Sequence, residues 1–107
     1  MYTVVVTKIP GPCEDGHSSD IRRLIEERKT DPNLGPTIDA CVNLDSISPV
    51  SYKSGFMIGI GIGIRVDRPD SAVRLAHIIG DVVSKDSYRL VTCYDKRLKC
   101  LDLKTKY

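Results

Sequence analysis

Eleven consecutive residues, Phe56 to Val66 (FMIGIGIGIRV), alternate with a period of two. Phe56, Ile58, Ile60, Ile62, Ile64 and Val66 fall on one side, Gly59, Gly61 and Gly63 on the other. Such a run reads as an extended strand that points its isoleucines into a core. Glycine inside a strand costs stability, so three on one face imply that something approaches the bare backbone closely. The candidates are a symmetry-related sheet, a partner's aromatic rings, a planar ligand, or bulky side chains such as Tyr88 and Tyr94 from a neighbouring strand. Gly59, Gly61 and Gly63 are therefore candidate binding residues. They do not form a dinucleotide fingerprint, whose glycines occupy the turn between a strand and a helix.

The remaining elements arrange themselves around this strand. Residues 2 to 9, YTVVVTKI, are β-branched and stop at Pro10, the pattern of a first strand. A loop, PGPCEDGHSS, leads to Ser18 or Ser19 as the N-cap of a helix. Ile21, Leu24, Ile25 and Arg28 share one face of it, Arg22–Glu26 and Arg23–Glu27 pair on the other, and DPNLGP ends it. Residues 37 to 47 alternate Ile38, Ala40, Val42 and Leu44 against polar neighbours, which predicts strand two. A polar link reaches the glycine strand. DRPDSAV then opens a second helix whose buried stripe is Ala72, Leu75, Ala76, Ile79, Val82 and Val83. Tyr88 to Tyr94 and Leu98 to Leu103 predict strands four and five, joined by a turn near Asp95 to Arg97.

This order is the ferredoxin-like βαββαβ pattern with an extra C-terminal strand, an α+β fold with an antiparallel sheet and two helices on one face. An α+β meander is the alternative. At 107 residues the chain is a single domain, residues 1 to 107. Folding buries about two-thirds of its surface, enough for a core without a staple.

Several function classes fall away. The N-terminus has no basic leader, and the longest apolar run, nine residues from Phe56 to Ile64, is far below the ~20 that span a membrane. A cytoplasmic protein with no membrane partner is expected. Cys13, Cys41, Cys93 and Cys100 form no C-x-x-C pair, so zinc-ribbon and thioredoxin chemistry are not expected; neither is any metal or cofactor. In a reducing compartment the thiols are expected free and mostly buried. Cys93 and Cys100 face each other if the last turn is two residues long, where a disulfide is the alternative to a reduced pair.

No catalytic set stands at a workable spacing. The loop Cys13-Glu14-Asp15-Gly16-His17 gathers a thiol, two carboxylates and an imidazole, the material of a thiol-dependent or small-ligand site, but Glu14 and Asp15 oppose a reactive thiolate. His77 reads as a boundary residue of the second helix. Net charge is only +2, yet residues 1–54 sum to −2 and 55–107 to +4. Lys96, Arg97 and Lys99 are the candidate phosphate contacts of a nucleic-acid-binding hairpin, or else a solvated guard on an edge strand. The leading expectation is a small binding or regulatory protein, inhibitory in type, that acts through protein–protein contacts or self-association as a homodimer. The open sheet face or the fifth strand would supply the contact.

Overall fold

The computed structural model describes residues 1–8, 16–54, 56–67, 72–101 and 103. The elements run β1 (Tyr2–Lys8), α1 (Gly16–Arg28), α2 (Gly35–Cys41), β2 (Val42–Ser54), β3 (Met57–Val66), α3 (Ala72–Val83), a single 3₁₀ turn (Ser84–Asp86) and β4 (Tyr88–Asp95). The class is α+β, with four antiparallel strands in the order β2-β3-β1-β4. Val4 and Val6 of β1, Ile62, Ile64 and Val66 of β3, and Cys93 of β4 form the inner face. Ile21 and Ile25 of α1, Ile38 of α2, and Leu75 and Ile79 of α3 complete one cluster with them.

Several expectations are corrected. Residues 37–41 belong to a helix rather than a strand. Leu34, Ile38 and Cys41 recur at helical spacing and turn inward, while Ala40, which completed the alternating pattern, is exposed. Pro36 suits the first turn of α2, and Asp31 Oδ1 accepts the backbone N–H groups of Asn33 and Leu34 just ahead of it. The sheet is thus covered by three helices, not two. The segment taken for a polar link, Ser48 to Ser54, is the outer half of β2 and pairs with β3 from Ser48↔Gly63 to Ser54↔Met57.

The fifth strand is absent among the described residues. Leu98 takes a left-handed φ of 62°, which turns the chain out of extended geometry, and a single bridge, Tyr94↔Cys100, remains. The one-residue difference from a Cys93–Cys100 register puts the two thiols on opposite faces. Cys93 is buried in the core, Cys100 is exposed beside Thr92, and both are free, as is buried Cys41. Helix α1 begins at Gly16, ahead of both serines proposed as its cap. Of its two proposed ion pairs, Arg23–Glu27 is present at 3.3 Å, whereas Arg22 donates from Nε to the Leu44 carbonyl.

Candidate functional site

The site is built where β2 leaves the regular ladder. Between Asn43↔Arg65 and Ser48↔Gly63, four residues of β2 oppose one of β3. This bulge turns Ile47 into the core. It is held by its own polar groups: Ser46 Oγ accepts the Arg65 N–H at 2.9 Å and donates to the Asn43 carbonyl at 2.6 Å, and the Asp45 N–H reaches Asn43 Oδ1 at 3.0 Å. Beyond the bulge, the outer halves of β2 and β3 form an arm.

The sheet curls so far that this arm meets the opposite edge strand. Tyr94 of β4 reaches Lys53 of β2, where its hydroxyl accepts the Lys53 N–H at 2.8 Å and donates to the Lys53 carbonyl at 2.5 Å. Both backbone groups of Lys53 therefore point away from β3, and by the alternation of an antiparallel ladder those of Ser51 and Pro49 do too. Pro49 has no N–H to offer, so the free edge of β2 is blunted at Pro49 and capped at Lys53. The free edge of β4 is covered at its C-terminal end: Asp95 donates its N–H to the Lys99 carbonyl, and Leu101 donates to that of Cys93.

Under the curl lies a groove of about 850 Å3. Thr3, Val5, Gly63 and Arg65 floor it, Asn43, Asp45, Ser46, Ser48 and Val50 wall it on the β2 side, and Tyr94 and Leu98 stand on the β4 side. Among the described residues its lining holds one carboxylate, Asp45, beside the cations Lys53 and Arg65. Arg65 and Asp45 are exposed, and among the described residues they form no ion pair with each other.

The glycine face is covered by this chain's own side chains. A Cβ on Gly59 would stand 2.8 Å from the Tyr52 hydroxyl, and one on Gly63 would stand 2.9 Å from a Val50 methyl. At Gly61 it would meet the Val6 carbonyl at 2.6 Å and a Val5 methyl at 2.8 Å, so a bare backbone is required there. The ring laid on the glycines is that of Tyr52; Tyr88 is buried on the helix side, and Tyr94 is engaged at Lys53.

The opposite face of the arm is uncovered. Phe56, in the turn ahead of β3, is 106% exposed, and Ile58 and Ile60 of β3 are 78% and 49% exposed, against full burial of Ile62, Ile64 and Val66 on the same side of that strand. The expectation that all six point into the core holds for its second half alone. A signal for the exposed half does exist in the sequence: residues 46–64 contain a single charge, Lys53.

Lys96, Arg97 and Lys99 are exposed in the turn that follows β4. The Asp95 carboxylate accepts the backbone N–H groups of Lys99 and Arg97, and these bonds hold its pKa below the usual carboxylate value. Leu98 of this turn lines the groove with Gly63, whereas Lys96, Arg97 and Lys99 are not among the groove's lining residues. Cys13, Glu14 and Asp15 lie outside the described residues, whereas His17 meets the Tyr88 ring edge-on at 5.9 Å. His77 Nε2 lies 2.6 Å from the Leu103 carbonyl, tying the C-terminal segment to α3. Burial raises the Cys93 thiol pKa to about 12, which makes it inert as a nucleophile. Among the described residues no helix is long and apolar enough to cross a membrane. No protein-family model, curated protein or solved structure matches the chain.

Proposed function

We propose that this is a small cytoplasmic binding protein, regulatory or inhibitory in type, that works through protein–protein contacts made by the arm, contacts with its own copies included. The observation that supports this is the stripe Phe56, Ile58 and Ile60: three large apolar side chains in a row, uncovered, on a segment with one charge. Contiguous exposed apolar surface of this kind marks interaction sites, and interface cores are depleted in charged residues. Gly59, Gly61 and Gly63 enter the proposal as the positions that let Tyr52 and Val50 lie flat, so that the arm keeps its curl and presents the stripe outward. The ferredoxin-like reading of the fold belongs with this proposal. Central β1 and β3 support it; α2 and the bulge in β2 are departures from it.

Sedimentation of the intact chain tests the proposal. The wild type is expected to migrate above its 11.9 kDa chain mass, and Ile58→Lys to return it to that mass with unchanged melting. A wild type that stays monomeric throughout a dilution series, and that captures no partner lost by Ile58→Lys, overturns it.

The exposed turn cations favour a second reading, phosphate contact by nucleic acid: Asp95 Oδ1 accepts the backbone N–H groups of their own turn, its Oδ2 meets Arg97 Nε at 4.0 Å, and Lys96 and Lys99 form no ion pair among the described residues. Exchanging Lys96, Arg97 and Lys99 together for alanine should then abolish a gel shift seen at low salt. No shift at low salt ends that reading.

A further inference from the structure

We infer that the groove under the curl binds a small organic oxyanion, with its charged head at Arg65 and its apolar body against Val5, Val50 and Leu98. This site is separate from the arm's stripe, whose side chains alternate with the glycines and so lie on the other face of the hairpin. The pairing register gives the site its layout. Partners across an antiparallel ladder share a face, so Asn43, Arg65, Thr3 and Tyr94 form one row across β2, β3, β1 and β4, and Ser48, Gly63, Val5 and Thr92 form the next. Arg65 therefore stands mid-floor on a central strand, between an amide and a hydroxyl, with the Tyr94 ring beyond. The bulge fixes its backbone there: Ser46 Oγ accepts the Arg65 N–H and is itself tied to the Asn43 carbonyl.

Two cations and one carboxylate line the groove, Arg65 and Lys53 against Asp45, which leaves the lining one positive charge in excess. Among the described residues none of the three is in an ion pair. A guanidinium that no carboxylate neutralises offers the planar fork that matches a carboxylate or phosphate with two parallel hydrogen bonds. Apolar groups stand where the body would lie. Val5 and Gly63 are buried in the floor and Val50 is half-buried in the wall, while Leu98 is exposed on the β4 side. Leu98 keeps that place at a left-handed φ of 62°, a conformation that costs a leucine energy and that clusters at ligand sites. The volume, about 850 Å3, falls within the ~300–1,000 Å3 of small-molecule sites. Because the Tyr94–Lys53 contact joins the two edge strands over the sheet, a polypeptide or nucleic acid would have to thread beneath it, whereas a compact molecule need not.

Two dyes of the same shape test the inference: anilinonaphthalene sulfonate, an apolar monoanion, and phenylnaphthylamine, the same body without the charge. The wild type is expected to bind the anion about tenfold tighter than the neutral dye, and the bound anion to shift the Val5 and Val50 methyl resonances but not that of Ile60. Arg65→Gln should abolish that preference, and Asp45→Asn should strengthen binding of the anion about two- to fivefold. Ser48→Phe, which fills the groove from its exposed wall, should block both dyes, and Phe56→Ser, on the other face, should leave both unchanged; wild-type melting of each variant shows that it is folded. Displacement of the anion by naphthoate or by naphthyl phosphate then tells a carboxylate ligand from a phosphate one. Equal affinity for the two dyes in the wild type, a preference that survives Arg65→Gln, binding that survives Ser48→Phe, or binding lost with Phe56→Ser overturns the inference.

Discussion

The two halves of β3 present the same residue type on the same side, yet Ile62 and Ile64 are wholly buried while Ile58 is four-fifths exposed. The difference lies in what stands above them. The helices packed against β2 are α1 and α2; the 13 residues of α1 span ~20 Å at 1.5 Å per residue, whereas the 13 residues of β2 reach up to ~43 Å. A helix layer of that length covers one half of the hairpin and leaves the other overhanging. Strand periodicity therefore says which residues share a face, but the length of the opposing layer decides whether that face is core or surface.

Truncating each half in turn is the most forceful way to break this contrast. Ile62→Ala should cost about 2–5 kcal/mol, the range for a fully buried aliphatic, while Ile58→Ala should stay within about 0.5 kcal/mol. Urea titration of the two variants at a concentration where the chain is monomeric measures both. Equal costs would mean that the arm is packed as the body is.

The glycines sharpen the same comparison at smaller scale. Gly61→Ala forces a methyl against the Val6 carbonyl, a backbone atom that cannot swing aside, and should cost about 1–3 kcal/mol. Gly59→Ala meets the far end of the Tyr52 ring, which can rotate away, and should cost less. A lysine at position 61 would therefore report on folding rather than on association. Next in size, Tyr94→Phe removes the hydroxyl that serves both backbone groups of Lys53. It should cost about 1 kcal/mol and speed hydrogen exchange at the Lys53 amide more than at Val4 and Ile64, whose exchange follows global unfolding.

Thiol chemistry divides body from surface in the same way. Cys100 should alkylate readily in the native protein, whereas Cys41 and Cys93 should react only after unfolding, as mass spectrometry of the labelled peptides would show. Burial raises the Cys93 pKa from 9.0 to about 12, so the folded state disfavours its thiolate. Its contribution to stability is present below pH 9 and is lost progressively as pH rises from 9 towards 12, where the unfolded chain ionises first. Cys93→Ala should flatten that alkaline decline.

The sequence pattern made β1, α1, β3, α3 and β4 readable because each has one unbroken period and clear stops. It misled at residues 37–41, where Ile38, Ala40 and Val42 imitate a strand. Gly35 and Pro36, with Ile38 and Cys41 three apart, carried the helical signal that prevailed. It misled again after Asp95, because nothing in the local pattern reveals the left-handed Leu98. Of the site, the glycine stripe was readable but its occupant was not. Tyr52 lies over the glycines only because β2 continues through Ser48 to Ser54, a segment whose serines and proline look like a linker. The groove depends on Tyr94 reaching Lys53, 41 residues away, which no local pattern encodes.

Methyl resonances of the isoleucines, followed as the wild-type protein is diluted, test the central claim most directly. If the overhanging half of β3 is a contact surface for a second copy, the Ile58 and Ile60 methyl shifts will move with concentration while those of Ile62 and Ile64 stay fixed. Shifts that are constant at all four positions would contradict the account, because the exposed stripe would then be a surface that a second copy does not touch.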